Sequence, residues 1–200
     1  MDRKLTQQLI EAVADRIVAA EVELTVLDQA IGDGDHGINM KRGTGAVRAA
    51  AAELAAKPVG EAVKAVGMQL VMKVGGASGP LYGTLLMTLG KLWPDPLDRA
   101  GLATAVASAL EAVKARGKSE PGQKTMLDVL FPVSEALAAG KSPAAIKAVA
   151  AEAAEATVPL QAVRGRASFL GERSAGHMDP GARSSQLAVE AVCDVLEAAQ

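Results

Sequence analysis

The chain has 200 residues, half of them hydrophobic and four of them aromatic, and its formal net charge is −2. This length fits one domain, spanning residues 1–200, with room for a proper core. The near-neutral charge argues against nucleic acid and an anionic membrane surface as partners. The N-terminus lacks the apolar core of a signal peptide, and no apolar stretch reaches the roughly 18 residues of a membrane span. With one cysteine, Cys193, and so no internal disulfide, we expect a cytoplasmic protein.

Helical periodicity recurs along almost the whole chain, and its apolar content comes from alanine and leucine, which favour helices. The best strand candidate, "VELTVL" at residues 22–27, stands alone and therefore cannot form a sheet. The sequence predicts an all-α fold, an eight-helix up-and-down antiparallel bundle or barrel. Its predicted helices span about residues 3–23, 37–56, 59–74, 79–92, 97–116, 125–139, 143–160 and 181–198.

The connections between these helices are of two kinds. Three are short turns with proline or lysine, at residues 56–60, 93–98 and 139–143. The other four are longer or richer in glycine and polar residues, at 27–36, 74–79, 116–124 and 162–181. These four follow the odd-numbered helices, and in an up-and-down array such loops lie at the same end. We therefore expect the functional site at that end.

The first of these loops contains "IGDGDHG", whose glycines match the G-x-G-x-x-G dinucleotide fingerprint. That fingerprint requires parallel strands, which the sequence does not predict. Three carboxylates lie within eight residues, Asp28, Asp33 and Asp35, and would repel one another without a cation. Hard oxygen ligands suit Mg²⁺ or Ca²⁺, but the calcium-loop spacing is broken, which favours Mg²⁺. The alternative is that these aspartates are solvated turn residues.

Helix N-termini adjoin two of the four loops and could bind an anion. His36, Gly37 and Asn39 open the second predicted helix, where free backbone N–H groups favour negative charge. "GGASG" at 75–79 frees further N–H groups before the fourth helix, although a helix cap would look the same. "GKSEPGQKT" at 117–125 nearly matches a phosphate-binding P-loop, but an inserted glutamine breaks its register and no strand precedes it. We therefore reject a Walker A motif, while a nucleotide nearby remains open.

The fourth loop is the longest and the richest in basic residues. Arginines beside glycines and serines suit phosphate oxygens, although a solvated surface loop could look alike. The loop holds Arg164, Arg166, Arg173, His177 and Asp179, followed by Pro180 and Gly181. Carboxylates for Mg²⁺, helix N-termini and arginines are together the elements of a Mg-nucleotide site for phosphoryl transfer. Adenine could lie against Met126, for which plain core packing is an equal alternative.

Four segments resemble the nucleotide-binding L subunit of dihydroxyacetone kinases, in the same order and over nearly the full chain. They are "LDQAIGDGDHGINMKRG", "VGGASGPLYGT", "RGKSEPGQKTMLDVLFP" and "GRASFLGERSAGHMDPGA". The resemblance implies an eight-helix barrel with ADP or ATP and two Mg²⁺ ions at one end. Asp28, Asp33 and Asp35 match the family's magnesium ligands. The positions that match its nucleotide contacts are His36, Gly37, Ile38, Asn39, Ala77, Ser78, Gly117, Met126, Arg166, Asp179, Pro180 and Gly181.

The resemblance also implies that this chain is one subunit of a kinase. In the family a separate K subunit holds the sugar and supplies the acid–base groups, so we expect no catalytic residue of that kind here. Some relatives keep their nucleotide resident and use a phosphotransferase-type M subunit, whereas others exchange ATP. Two alternatives stay open: a kinase for another short ketose such as erythrulose, and a non-catalytic nucleotide-bound regulator. A homodimer is compatible with either.

Overall fold

The structure is a computed structural model that describes residues 1–199. This part of the chain is all helical and contains no strand, so the predicted fold class is confirmed. Ten α-helices and one 3₁₀ segment (Arg166–Ser174) replace the eight helices predicted. The α-helices are α1 (Arg3–Ala19), α2 (Glu21–Ile31), α3 (His36–Ala49), α4 (Ala51–Leu54), α5 (Val59–Lys73), α6 (Ser78–Lys91), α7 (Arg99–Gly117), α8 (Leu127–Ala138), α9 (Pro143–Glu155) and α10 (Pro180–Ala198). None of the described helices is long and apolar enough to cross a membrane.

The first predicted helix is in fact two helices that meet at Ala20. Its N–H approaches the carbonyls of Arg16 and Ile17 at 3.2 Å, so the last turn of α1 tightens before the chain continues into α2. The strand candidate at 22–27 lies inside α2. Leu24, Asp28 and Ile31 are its buried residues, a spacing of four and three that belongs to a helix and not to a strand.

Three further differences concern the predicted helix at 37–56, the last loop and the end of the seventh predicted helix. The helix breaks at Ala50, which separates α3 from the single turn α4. The segment 162–181 is not free of secondary structure, because it contains the 3₁₀ segment. Helix α9 ends at Glu155, several residues before the predicted end near 160. These differences shift element boundaries and leave the helical class unchanged.

The helices that pack together follow a cyclic order. Contacts run α1–α3–α5–α6–α7–α8–α9–α10 and return from α10 to α1. The main core lies between these helices and is aliphatic, with Ile17, Leu24, Met40, Leu70, Val74, Leu110, Val113, Met126, Leu127 and Leu187 among its buried members. At one end, short turns pack together: Arg99 donates to the Lys141 carbonyl at 3.3 Å. The polar loops meet at the other end.

Candidate functional site

The three predicted magnesium ligands form a compact carboxylate cluster. One ligand oxygen from each of Asp28, Asp33 and Asp35 lies within 4.8 Å of the others. Asp28, on the last turn of α2, is buried, whereas Asp33 and Asp35 are exposed in the turn that follows. Two backbone N–H groups, those of Asp35 at 2.8 Å and His36 at 3.0 Å, donate to Oδ2 of Asp28. The turn is thereby folded back over α2, and hard oxygen donors converge as Mg²⁺ requires.

Two glycines make this close approach possible. A β-carbon at Gly32 would lie 2.1 Å from Oδ1 of Asp28, inside the carboxylate that belongs to the cluster. A β-carbon at Gly37 would lie 2.0 Å from the Glu21 carbonyl oxygen and 2.7 Å from the Thr25 nitrogen. Helix α3 can therefore start directly against α2 only with glycine at 37. The glycines serve backbone packing around a carboxylate cluster and do not line a dinucleotide cradle.

Arg166 connects the arginine-bearing loop to the cluster. Its Nε lies 3.1 Å from Oδ2 of Asp33, and both side chains are largely exposed. Exposed ion pairs contribute little free energy, so this contact can rearrange at low cost. Of the three arginines considered in this loop, Arg166 is the one that pairs with the cluster, whereas Arg164 and Arg173 make no ion pair among the described residues.

The N-termini of α3 and α6 lie side by side. Nδ1 of His36, the first residue of α3, lies 3.1 Å from Oγ of Ser78, the first residue of α6. Asn39, also buried, accepts a hydrogen bond from Arg42 through Oδ1 at 2.8 Å. Because the first turns of both helices present free N–H groups, this corner favours an anion next to the carboxylate cluster.

His36 links three helices through its imidazole. Nε2 lies 2.9 Å from Oγ of Ser184 on α10, opposite the contact with Ser78. Burial lowers the pKa of His36, and Asp28, Asp35 and a hydrogen bond to the Pro180 carbonyl oppose that lowering. A neutral imidazole donates through one nitrogen and accepts through the other, so it can bridge two hydroxyls.

Tyr82, Ser184 and Ser185 extend this network and are not among the predicted site residues. The Tyr82 hydroxyl lies 2.8 Å from Oγ of Ser184 and 2.8 Å from Oγ of Ser185. It also donates to the Gly181 carbonyl at 3.2 Å. Burial raises the pKa of Tyr82 to about 12, so the phenol keeps its proton. One signal was available: the chain's only tyrosine stands one helical turn after Ser78.

The start of α10 lies against the start of α8. Asp179 is the N-cap of α10 and accepts from the Ala182 N–H at 2.7 Å. Burial raises the pKa of Asp179 to about 7; the hydrogen bond from Ala182 opposes this. A β-carbon at Gly181 would lie 3.6 Å from the Met126 nitrogen, so Met126 and Gly181 are neighbours. Met126 itself is buried in the main core.

The other residues predicted to contact the nucleotide make no side-chain hydrogen bond to the carboxylate cluster or to His36, since none of them has a polar side chain. Ile38 is half exposed, Ala77 is the N-cap of α6, and Pro180 is buried at the start of α10. A β-carbon at Gly117, the last residue of α7, would lie 3.3 Å from Leu81, so the third loop adjoins α6. His177, the other histidine of the sequence, is exposed.

The fold and site together describe an all-helical domain that concentrates carboxylates, helix N-termini and an arginine at one end. Residues 30–194 match the DAK2 domain, and the chain belongs to this family. It is 42% identical over 192 residues to "PEP-dependent dihydroxyacetone kinase 1, ADP-binding subunit DhaL" of Listeria innocua, covering 96% of each chain. It is 44% identical over 171 residues to the corresponding ADP-binding subunit of Escherichia coli, covering 80% of this chain and 81% of that one.

A solved structure has the same fold. The dihydroxyacetone kinase of C. freundii, in complex with AMP-PNP and Mg²⁺, superimposes with a TM-score of 0.77 at 24% sequence identity. The match covers 96% of this chain but 34% of that one, so this chain spans about a third of the longer kinase.

Proposed function

We propose that this chain is a single nucleotide-binding domain, the ADP- or ATP-Mg-binding subunit of a dihydroxyacetone kinase. It would take part in transfer of a phosphoryl group to a short ketose held on a separate K subunit. Two ADP-binding subunits of dihydroxyacetone kinases are 42% and 44% identical to it, the first along nearly its whole length. Such identity over a whole domain supports the same class of activity.

One observation carries the proposal: the carboxylate cluster adjoins two helix N-termini. Oxygens of Asp28, Asp33 and Asp35 lie within 4.8 Å of one another, and the His36–Ser78 contact of 3.1 Å joins α3 to α6 beside them. Carboxylates alone would repel a phosphate, and N–H groups alone would leave the carboxylates uncompensated. A divalent cation with a nucleotide satisfies both sets of groups at once.

The residues divide into two roles in this proposal. Asp28, Asp33 and Asp35 hold magnesium, two ions in the full site. Mg²⁺ supplies positive charge that neutralises phosphate oxygens. The residues that contact the nucleotide are His36, Gly37, Ile38, Asn39, Ala77, Ser78, Gly117, Met126, Arg166, Asp179, Pro180 and Gly181.

The chain's own side chains orient the nucleotide and do not perform acid–base chemistry on the sugar. His36 is held between Ser78 and Ser184, and burial lowers its pKa, which favours the neutral imidazole. Its hydrogen bonds fix the Ser78 hydroxyl at the start of α6. Arg166 exchanges its exposed ion pair with Asp33 for phosphate oxygens at little cost. The acid–base groups belong to the K subunit.

The test is a reconstituted phosphorylation assay. The chain is mixed with a K subunit and dihydroxyacetone or erythrulose, and ketose phosphate is measured with ATP, and separately with phosphoenolpyruvate and its phosphotransferase proteins including an M subunit. We expect product from dihydroxyacetone only when this chain is present, and none with Asp33→Ala. Product from erythrulose alone would identify a tetrose kinase. Nucleotide binding without product from either ketose and either donor would contradict the kinase and leave a regulator.

A further inference from the structure

Lys124 is the lysine of the rejected P-loop motif, and the proposed nucleotide site does not use it. A P-loop lysine would extend toward phosphate. This one does the opposite: at 1% exposure it is the most buried charged side chain among the described residues. A lysine is almost never fully buried unless it is paired, so this position requires a specific explanation.

The partners of the Lys124 ammonium are four backbone carbonyls. Nζ donates to Thr157 at 2.7 Å, Leu160 at 3.0 Å, Val158 at 3.2 Å and His177 at 2.5 Å. An ammonium has three N–H groups, so the four oxygens share three donors around one charge. We call this arrangement the carbonyl cage; it resembles the oxygen shell of a bound cation.

The backbone of Lys124 is in a conformation that favours glycine. Its φ is 61°, in the left-handed region that costs a residue with a side chain of the order of 1 kcal/mol. Such a conformation persists only where the surrounding contacts over-determine it. Here it turns the side chain inward to the cage.

The carbonyl cage joins the two stems of the loop that carries Arg166. Thr157, Val158 and Leu160 lie on the stem after α9, and His177 lies on the stem before α10. The stems are also joined directly, since the Gly176 N–H donates to the Val158 carbonyl at 2.8 Å. One ammonium therefore closes residues 157–177 into a compact loop whose ends are fixed.

The same stems lead straight into the start of α10. The Asp179 N–H donates to Oγ1 of Thr157 at 3.1 Å, and Asp179 then caps the helix. Burial lowers the pKa of Lys124, while the charges of Asp179 and Asp128 oppose the lowering. Lys124 stands two residues before Met126, and the cage carbonyl of His177 stands two residues before Asp179, so the cage adjoins residues proposed to contact the nucleotide.

We propose that Lys124 is a positioning residue for nucleotide binding, which holds the Arg166 loop and the N-terminus of α10 in register through the carbonyl cage. The inference rests on the proposed function, because it assigns Lys124 to the same nucleotide site. Lys124 does not touch the nucleotide. It acts by fixing the backbone groups that do. Its loss therefore lowers nucleotide affinity, while the magnesium ligands on α2 and in the turn after α2 keep their positions.

The first test replaces the ammonium by a methyl thioether of similar length. In Lys124→Met, four carbonyls lose the ammonium as a donor, and we expect affinity for Mg-ADP to fall about tenfold to a hundredfold. Amide hydrogen exchange should accelerate in residues 157–177 and stay unchanged in α1. Lys118→Met is the matched control, since Lys118 also has a positive φ, of 50°, in the same loop but is exposed. Affinity should not change in this control.

The second test supplies the ammonium group separately from the lysine side chain. Lys124→Ala removes the chain beyond Cβ, and n-propylammonium has the length and the N–H groups of the missing portion. We expect this amine to restore Mg-ADP affinity in Lys124→Ala and to leave the parent protein unaffected. Tetramethylammonium carries the same charge without an N–H group, and it should not restore binding.

The outcomes distinguish this inference from the proposed function. If the parent protein does not bind Mg-ADP, the proposed function is wrong. If the parent binds and Lys124→Met binds equally well, with unchanged exchange in 157–177, the positioning role is wrong. If the variants do not fold, recovery of helical circular dichroism in Lys124→Ala with n-propylammonium replaces the affinity measurement. Absence of any recovery would overturn the carbonyl cage as the reason for Lys124.

Discussion

The two ends of the helical domain are built from opposite kinds of connection. The turns at 56–60, 93–98 and 139–143, all within the described chain, contain no buried residue. They are fixed by exposed caps, such as Ser142, whose Oγ accepts from the Ala145 N–H at 3.3 Å. At the other end, Asp28, His36, Lys124 and Asp179 are all buried polar or charged groups.

This difference shows that the loop end buries polar and charged groups, which the fold does not need for its stability. A buried polar group is costly unless it is hydrogen-bonded, and a buried charge is costlier still. The turn end avoids the cost by keeping polar groups in water. The loop end accepts it and satisfies each group by hydrogen bonding. Asp28 and Asp179 accept from nearby backbone N–H groups, whereas His36 and Lys124 bond to residues distant in sequence. Changes at the loop end should therefore alter ligand binding, whereas changes at the turn end should alter stability only.

The largest expected change in stability comes from substituting one of two glycines compared in α3. Gly37→Ala places a β-carbon 2.0 Å from the Glu21 carbonyl oxygen, and backbone atoms cannot easily move away. We expect the free energy of unfolding to fall by about 3 kcal/mol, and Mg-ADP affinity to fall with it. Gly45, in the same helix, is the control: a β-carbon there meets no described heavy atom within 4 Å.

Gly45→Ala should raise the free energy of unfolding by up to about 1 kcal/mol, because alanine is the better helix former. Urea unfolding of both variants measures whether each substitution lowers or raises the free energy of unfolding. Equal effects at the two positions would contradict the close contact between α2 and the start of α3.

The next effect concerns pH and Asp179. Its pKa is about 7 in the folded chain against 3.8 for an ordinary aspartate, so between these values the folded state holds a proton that the unfolded state has lost. The stability that this proton contributes is present below pH 4 and is lost as pH rises toward 7. The expected slope is up to about 1.4 kcal/mol per pH unit. Asp128 and Lys124 are the charged groups that modify it.

Asp179→Asn should keep the helix cap, since asparagine caps as well as aspartate, and should remove this slope. Urea unfolding at pH 5, 6, 7 and 8 measures it. The opposing contribution of His36 is common to both proteins and cancels in the difference. An unchanged slope in Asp179→Asn would show that Asp179 is already ionised in the folded chain.

The smallest effect tests the turn end. Ser142→Ala removes the cap of α9 and should lower the free energy of unfolding by about 1 kcal/mol. Because Ser142 lies in a turn without buried residues, Mg-ADP affinity should not change. Calorimetric titration beside urea unfolding checks both statements. A weaker affinity in this variant would mean that the two ends are coupled, and the comparison would fail.

Sequence alone was sufficient for features set by neighbouring residues. Asp28, Asp33 and Asp35 lie within eight residues, so a tight turn is enough to bring them together, and the structure does so. The helical class likewise follows from local composition and periodicity. The break at Ala20 was not predictable, because neither glycine nor proline marks it and the apolar spacing continues across it.

Pairings between distant residues lay beyond sequence reasoning. His36 meets Ser184 across 148 positions, and Lys124 meets the His177 carbonyl across 53. Nothing local to either residue specifies such a partner. The near-match to a P-loop shows the same limit: the sequence excluded the motif, but only the fold turned Lys124 into the interior.

The central claim is that the carboxylate cluster binds a nucleotide through magnesium. Thermal unfolding with ADP, with Mg²⁺ and with both tests it most directly. We expect ADP with Mg²⁺ to stabilise the chain, by about 2.7 kcal/mol at a hundred times its dissociation constant. We expect no such gain with ADP and a chelator, or in Asp33→Asn, while the exposed control Glu53→Gln behaves as the parent. Stabilisation by ADP that persists with the chelator or in Asp33→Asn, or none at all, would contradict it.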